Sequence, residues 1–81
     1  MAQVVPIDQV IPLSDSSSPY AVIKMMRTLV KQGQIEPLQV HPYGGKYIVF
    51  QDDPWANEII YAARQLGWPS LIIVVMKRYE N

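Results

Sequence analysis

At 81 residues, with 49% apolar and 17% charged side chains, the chain has room for one compact domain over 1–81 and only a thin solvating surface. Seven basic residues balance seven acidic ones, so no overall field draws the chain to DNA, RNA or an anionic membrane. The absence of cysteine excludes disulfides, thiolate metal sites and thiol catalysis, and makes a reducing cytoplasm the default location.

In chain order, Val4, Val5 and Ile7 with Pro6 among them predict a short strand at a sheet edge, since proline cannot donate to a central ladder. Residues 1–3 and 78–81 are expected as flexible ends. The stretch VIPLSDSSSP, Val10 to Pro19, reads as loop. Ser18 before Pro19 signals a helix start, and Gly33 a stop after about Gln32. Val22, Ile23, Met26, Leu29 and Val30 recur at helical spacing and predict the core stripe, with Lys24, Arg27, Thr28 and Lys31 on the outer side.

Leu38 and Val40 alternate inward, Tyr43-Gly44-Gly45 supplies a tight turn, and KYIVF returns as the second arm of a hairpin. Asp53 and Pro54 predict the start of a second helix, its stripe formed by Trp55, Ile59, Ala62 and Leu66 and its stop by Gly67. The unbroken run LIIVVM, Leu71 to Met76, predicts a strand covered on both faces and is far too short to cross a bilayer, so no membrane contact is expected. The order strand, helix, hairpin, helix, strand gives a small single α+β domain with a mixed sheet of about four strands and two main helices.

Two stretches carry a family resemblance. Gly33 to Val40 runs glycine-x-x-x-proline-hydrophobic-x-valine into a strand, and Ala62 to Gly67 ends a helix with a double alanine and leucine-glycine, with Tyr47 to Phe50 between them. In this order they resemble the ParB-like domain of chromosome and plasmid partition proteins and, more distantly, sulfiredoxin. The resemblance spans Val4 to Val75 and implies a fold in which a glycine and a basic cluster at the start of the second helix bind nucleotide phosphates.

This chain departs from that pattern at that place. Ala56, Asn57, Glu58 and Ile59 stand where the resemblance puts glycine and basic residues. The 15 positions from Tyr47 to Ala62 also exceed the family spacing by about one helical turn of ~3.6 residues, which would start the helix at Pro54. Asp52, Asp53, Asn57 and Glu58 are thus the positions of a degenerate phosphate site. Acids there suit the positive end of the helix dipole and repel a triphosphate, so a self-capped helix start is expected, with no cofactor. A divalent metal at Asp52, Asp53 and Glu58 is the rarer use of such a cluster, and none is expected.

Sulfiredoxin chemistry has no thiolate to run on, and no catalytic residue is identified. His41, without a neighbouring acid, reads as a surface residue. Lys24, Arg27 and Lys31 on the outer helix face, with Lys77 and Arg78 in the tail, are the candidate nucleic-acid contacts, although a solvated face is the commoner reading. Tyr20, Met25, Trp55 and Trp68 are the candidate interface for a second copy or another protein. The expected function is a non-catalytic ParB-like binding domain, an interaction or regulatory module in a DNA-associated, partition-like setting, with no small-molecule substrate. Direct nucleic-acid binding through the first helix, and a residual nucleotide- or metal-dependent enzyme, are the alternatives. The separate helical domain with which the partition family reads DNA has no room in 81 residues.

Overall fold

The computed structural model describes residues 1–15, 17–50, 53 and 55–76. The elements are β1 (Ala2–Pro6), a 3-10 turn (Ile7–Gln9), β2 (Val10–Ile11), α1 (Pro19–Gln32), β3 (Leu38–Tyr43), β4 (Lys46–Val49), α2 (Ala56–Gln65) and β5 (Ser70–Val75). The sheet has five strands in the order β1-β5-β3-β4-β2. Pairs β1/β5 and β3/β4 are antiparallel, while β3/β5 and β2/β4 are parallel.

The fifth strand lies where a loop was expected. β2 holds two residues followed by Pro12, too short to show a period, and it exists because Val10 and Ile11 pair with Tyr47 and Ile48 of β4. Ala2 and Gln3, expected as a loose end, instead pair with Val74 and Ile73. β1 does lie at an edge, where Pro6 costs no ladder bond.

The two edges come from one short segment. Pro6 and Val10 stand four positions apart, a reach of at most ~14 Å, whereas a flat five-stranded sheet is about 19 Å wide from first strand to last. The sheet therefore coils, turning its edges toward each other as a staggered barrel does. Its concave side carries Val5, Val10, Leu38, Val40, Val49, Leu71 and Ile73, all buried. Leu29 of α1 and Ala56, Ile60, Ala62 and Ala63 of α2 close that side into one core.

Each helix keeps most of its expected stripe and loses part of it to solvent. Val22, Met25 and Met26 pack against the core beside Leu29, while Ile23 and Val30 are 50% and 70% exposed. The helical period marks a broad apolar arc, and the α1–α2 contact covers only part of it. In α2 Ala62 of the expected stripe is buried with Ala56, Ile60 and Ala63, and Ile59 and Leu66 pack against the core, while Trp55 is left 62% exposed.

β5 was expected to be covered on both faces. It lies between β1 and β3, but Leu71 and Ile73 are buried while Ile72, Val74 and Val75 are half-buried, so the helices cover one face alone. On the opposite face His41 stacks on Phe50, ring centroids 3.9 Å apart at 12°. That agrees with the alternation that points His41 away from Val40.

The turn signals act as the chemistry requires. Gly44 and Gly45 take φ of 56° and 81°, positive at both central positions of the hairpin, where a side chain would be strained. Helix α2 ends in a Schellman pair, Gly67 N–H to Arg64 O and Trp68 N–H to Ala63 O, both 3.0 Å.

Candidate functional site

A cleft of about 700 Å³ opens between α1, the Gly33–Leu38 approach to β3 and the first turn of α2. Leu29, Leu38, Met25 and Ile59 make its apolar wall, and Tyr20 and Trp55 stand at its side. Among the described residues that line it, three carboxylates, Glu36, Asp53 and Glu58, meet one cation, Lys24.

The start of α2 is built differently from the expected cap. The helix begins at Ala56, with Trp55 at the N-cap position and no side-chain cap bond. Asp53 acts one step earlier: its Oδ1 accepts from Trp55 N–H at 3.1 Å and closes the turn that leads into the helix. Asp52 and Pro54 lie outside the described residues. Glu58 is the acid of the first turn, which suits the helix dipole. Its Oε1, however, is shut away from solvent and has no hydrogen-bond partner. The expected self-capping by several acids reduces, among the described residues, to the single bond made by Asp53.

Asn57 serves the fold. Its Oδ1 accepts from Leu13 N–H at 2.9 Å and its Nδ2 donates to Ser14 Oγ. One turn on, Tyr61 OH donates to Ser14 O at 2.6 Å. These two side chains, four residues apart and hence on one helix side, tie the segment after β2 to α2. Sequence spacing could not show this, because Asn57 and its partners are 43 and 44 positions apart.

Of the candidate interface residues, Tyr20, Met25 and Trp55 meet at the cleft, whereas Trp68 packs half-buried against the core as the Schellman motif directs. Lys24, Arg27 and Lys31 are all exposed on α1. Lys24 holds its ammonium over the Tyr20 ring, 5.3 Å from the centroid. Lys77 and Arg78 lie outside the described residues. Among the described residues no three His, Asp or Glu side chains converge as a metal set, and no helix is long and apolar enough to cross a membrane.

Sequence reasoning passed over Gln34. Its Nε2 donates to Ile72 O at 2.7 Å and its Oε1 accepts from Ile72 N–H at 2.8 Å. β3 begins at Leu38, opposite Ile73, so Ile72 lies past the start of the parallel ladder and takes these bonds from Gln34 instead. A side-chain amide thus stands in for the missing rung of the ladder and fixes one wall of the cleft.

No protein-family model and no curated protein sequence matches the chain. Solved structures do match. Sulfiredoxin from Arabidopsis thaliana superposes with a TM-score of 0.76 at 20% identity over 96% of this chain and 86% of that one. The C-terminally truncated chromosome-partitioning protein ParB from Caulobacter crescentus, complexed with CTP-gamma-S, gives 0.78 at 16% identity over 99% of this chain and 46% of that one. SbnI with a C-terminal truncation from Staphylococcus aureus gives 0.75 at 17% over 94% of this chain and 30% of that one. This chain thus spans most of the sulfiredoxin but less than half of the ParB and SbnI chains. Two helices close one side of its mixed sheet, and on these superpositions the chain is a domain of ParB/sulfiredoxin-like fold.

Proposed function

We propose that this domain works by binding a protein, a second copy or another chain, and that it catalyses no reaction. The observation that carries the reading is the charge at the first turn of α2, where Asp53 and Glu58 line the cleft and α2 contributes no cation to it. A phosphate brought there would meet like charge, costing about 1 kcal/mol per unit pair at ~4 Å in full water screening and several-fold more where water is excluded. A sulfiredoxin-type reaction would need a thiolate, and the sequence holds no cysteine. The DNA-associated, partition-like setting is taken from the ParB structure by fold analogy, which speaks to ancestry more than to activity.

Calorimetry with CTP and ATP in the presence of Mg²⁺ tests the reading. No heat of binding and no hydrolysis are expected. A saturable isotherm with either nucleotide would overturn it.

A further inference from the structure

We propose that the cleft receives a basic side chain, an arginine by preference, presented by a partner protein; this rests on the binding-domain reading above. Glu58 Oε1 is enclosed without a donor, and an enclosed acceptor left unpaired is destabilising, a charged one more so than a neutral one. Lys24 does not supply the donor, since its ammonium lies over the Tyr20 ring. A carboxylate spreads its charge over both oxygens, so a cation entering the cleft beside Glu58 neutralises the whole group.

The surroundings select the kind of cation. Trp55 lies three residues before Glu58, on the same side of the first turn, with 62% of its surface open. Tyr20, 70% exposed, stands on the other helix, and its ring already carries a cation from this chain. The apolar wall suits a methylene stem. Guanidinium is planar, weakly hydrated, able to stack on indole and to donate a charge-assisted N–H bond to a carboxylate at the cleft wall. A volume of about 700 Å³ exceeds one side chain, leaving room for the apolar neighbours of that arginine in a peptide. Among the described lining residues, the three-to-one excess of carboxylates supplies the charge complement.

The test is a ¹⁵N NMR titration of the whole chain with acetyl-Leu-Arg-Leu-amide and its citrulline counterpart, which keeps the shape and loses the charge. Saturable shifts of the Trp55 indole and the Glu58 amide are expected with the arginine peptide. Citrulline, and separately the Glu58→Gln variant, should bind at least about tenfold more weakly. Equal binding of the two peptides, shifts that map away from the cleft, or no saturation would each overturn the proposal, whether or not Glu58→Gln folds. If both peptide and nucleotides fail to bind, the arginine assignment falls and the binding-domain reading stands. A nucleotide that displaced the peptide from the cleft would overturn the reading of the site as anion-repelling.

Discussion

Replacing Gln34 by alanine removes two short bonds, 2.7 and 2.8 Å, that join the approach to β3 with the backbone of Ile72. Each such bond contributes about 0.5–1.5 kcal/mol net, and a part-buried backbone group left unpaired costs more, so Gln34→Ala is expected to destabilise the domain by about 2 kcal/mol. In a domain of this size each kcal/mol moves Tm by roughly 4–8 °C, which gives a fall of about 8–16 °C. Urea denaturation should show a lower midpoint with an unchanged slope, because the same surface is exposed on unfolding. Amide exchange should accelerate at Ile72. Gln34→Glu sharpens the test: a carboxylate still accepts from Ile72 N–H but sets lone pairs against Ile72 O, so at neutral pH it should restore little. A Tm change under about 2 °C in Gln34→Ala, or unaltered exchange at Ile72, would refute the view that this side chain completes the ladder.

Two further outcomes are expected. Asn57→Ala should lower stability by about 1–2 kcal/mol by freeing the Leu13–Ser14 segment, read as faster exchange at the Leu13 amide, and should leave nucleotide binding absent. Gly45→Ala, at φ 81°, should cost about 1–2 kcal/mol in a melting experiment, since the hairpin turn fixes a conformation that a β-carbon opposes.

The sequence made legible what local chemistry decides. Ser18-Pro19 and Gly33 bound α1 because capping groups act over three or four residues, and Ser18 Oγ accepts from Ala21 N–H, at a long 3.5 Å. Gly44-Gly45 marked the hairpin for the same reason. What it hid depends on distant partners. β2 is two residues that become a strand through β4, and Gln34 owes its role to a residue 38 positions away. The divergence of Ile23 and Val30 from the core follows from where α2 happens to lean, which no periodicity in α1 can express. At the site, the polar residues near α2 were visible in the sequence, but the division of labour among them was not: Asp53 caps a turn, Asn57 fastens a loop, and Glu58 keeps an oxygen without a donor.

The pairing of β1 with β5 sets an order of events during synthesis. Ala2 finds its neighbour at Val74, so β1, synthesised well before β5, must wait for that strand before it has a place to dock. Contacts of such long sequence separation close late and slowly. Until then β3 lacks the neighbour that Leu71 and the rest of β5 bring, and a nascent chain stalled before Ser70 would present its unpaired backbone to whatever lies nearby.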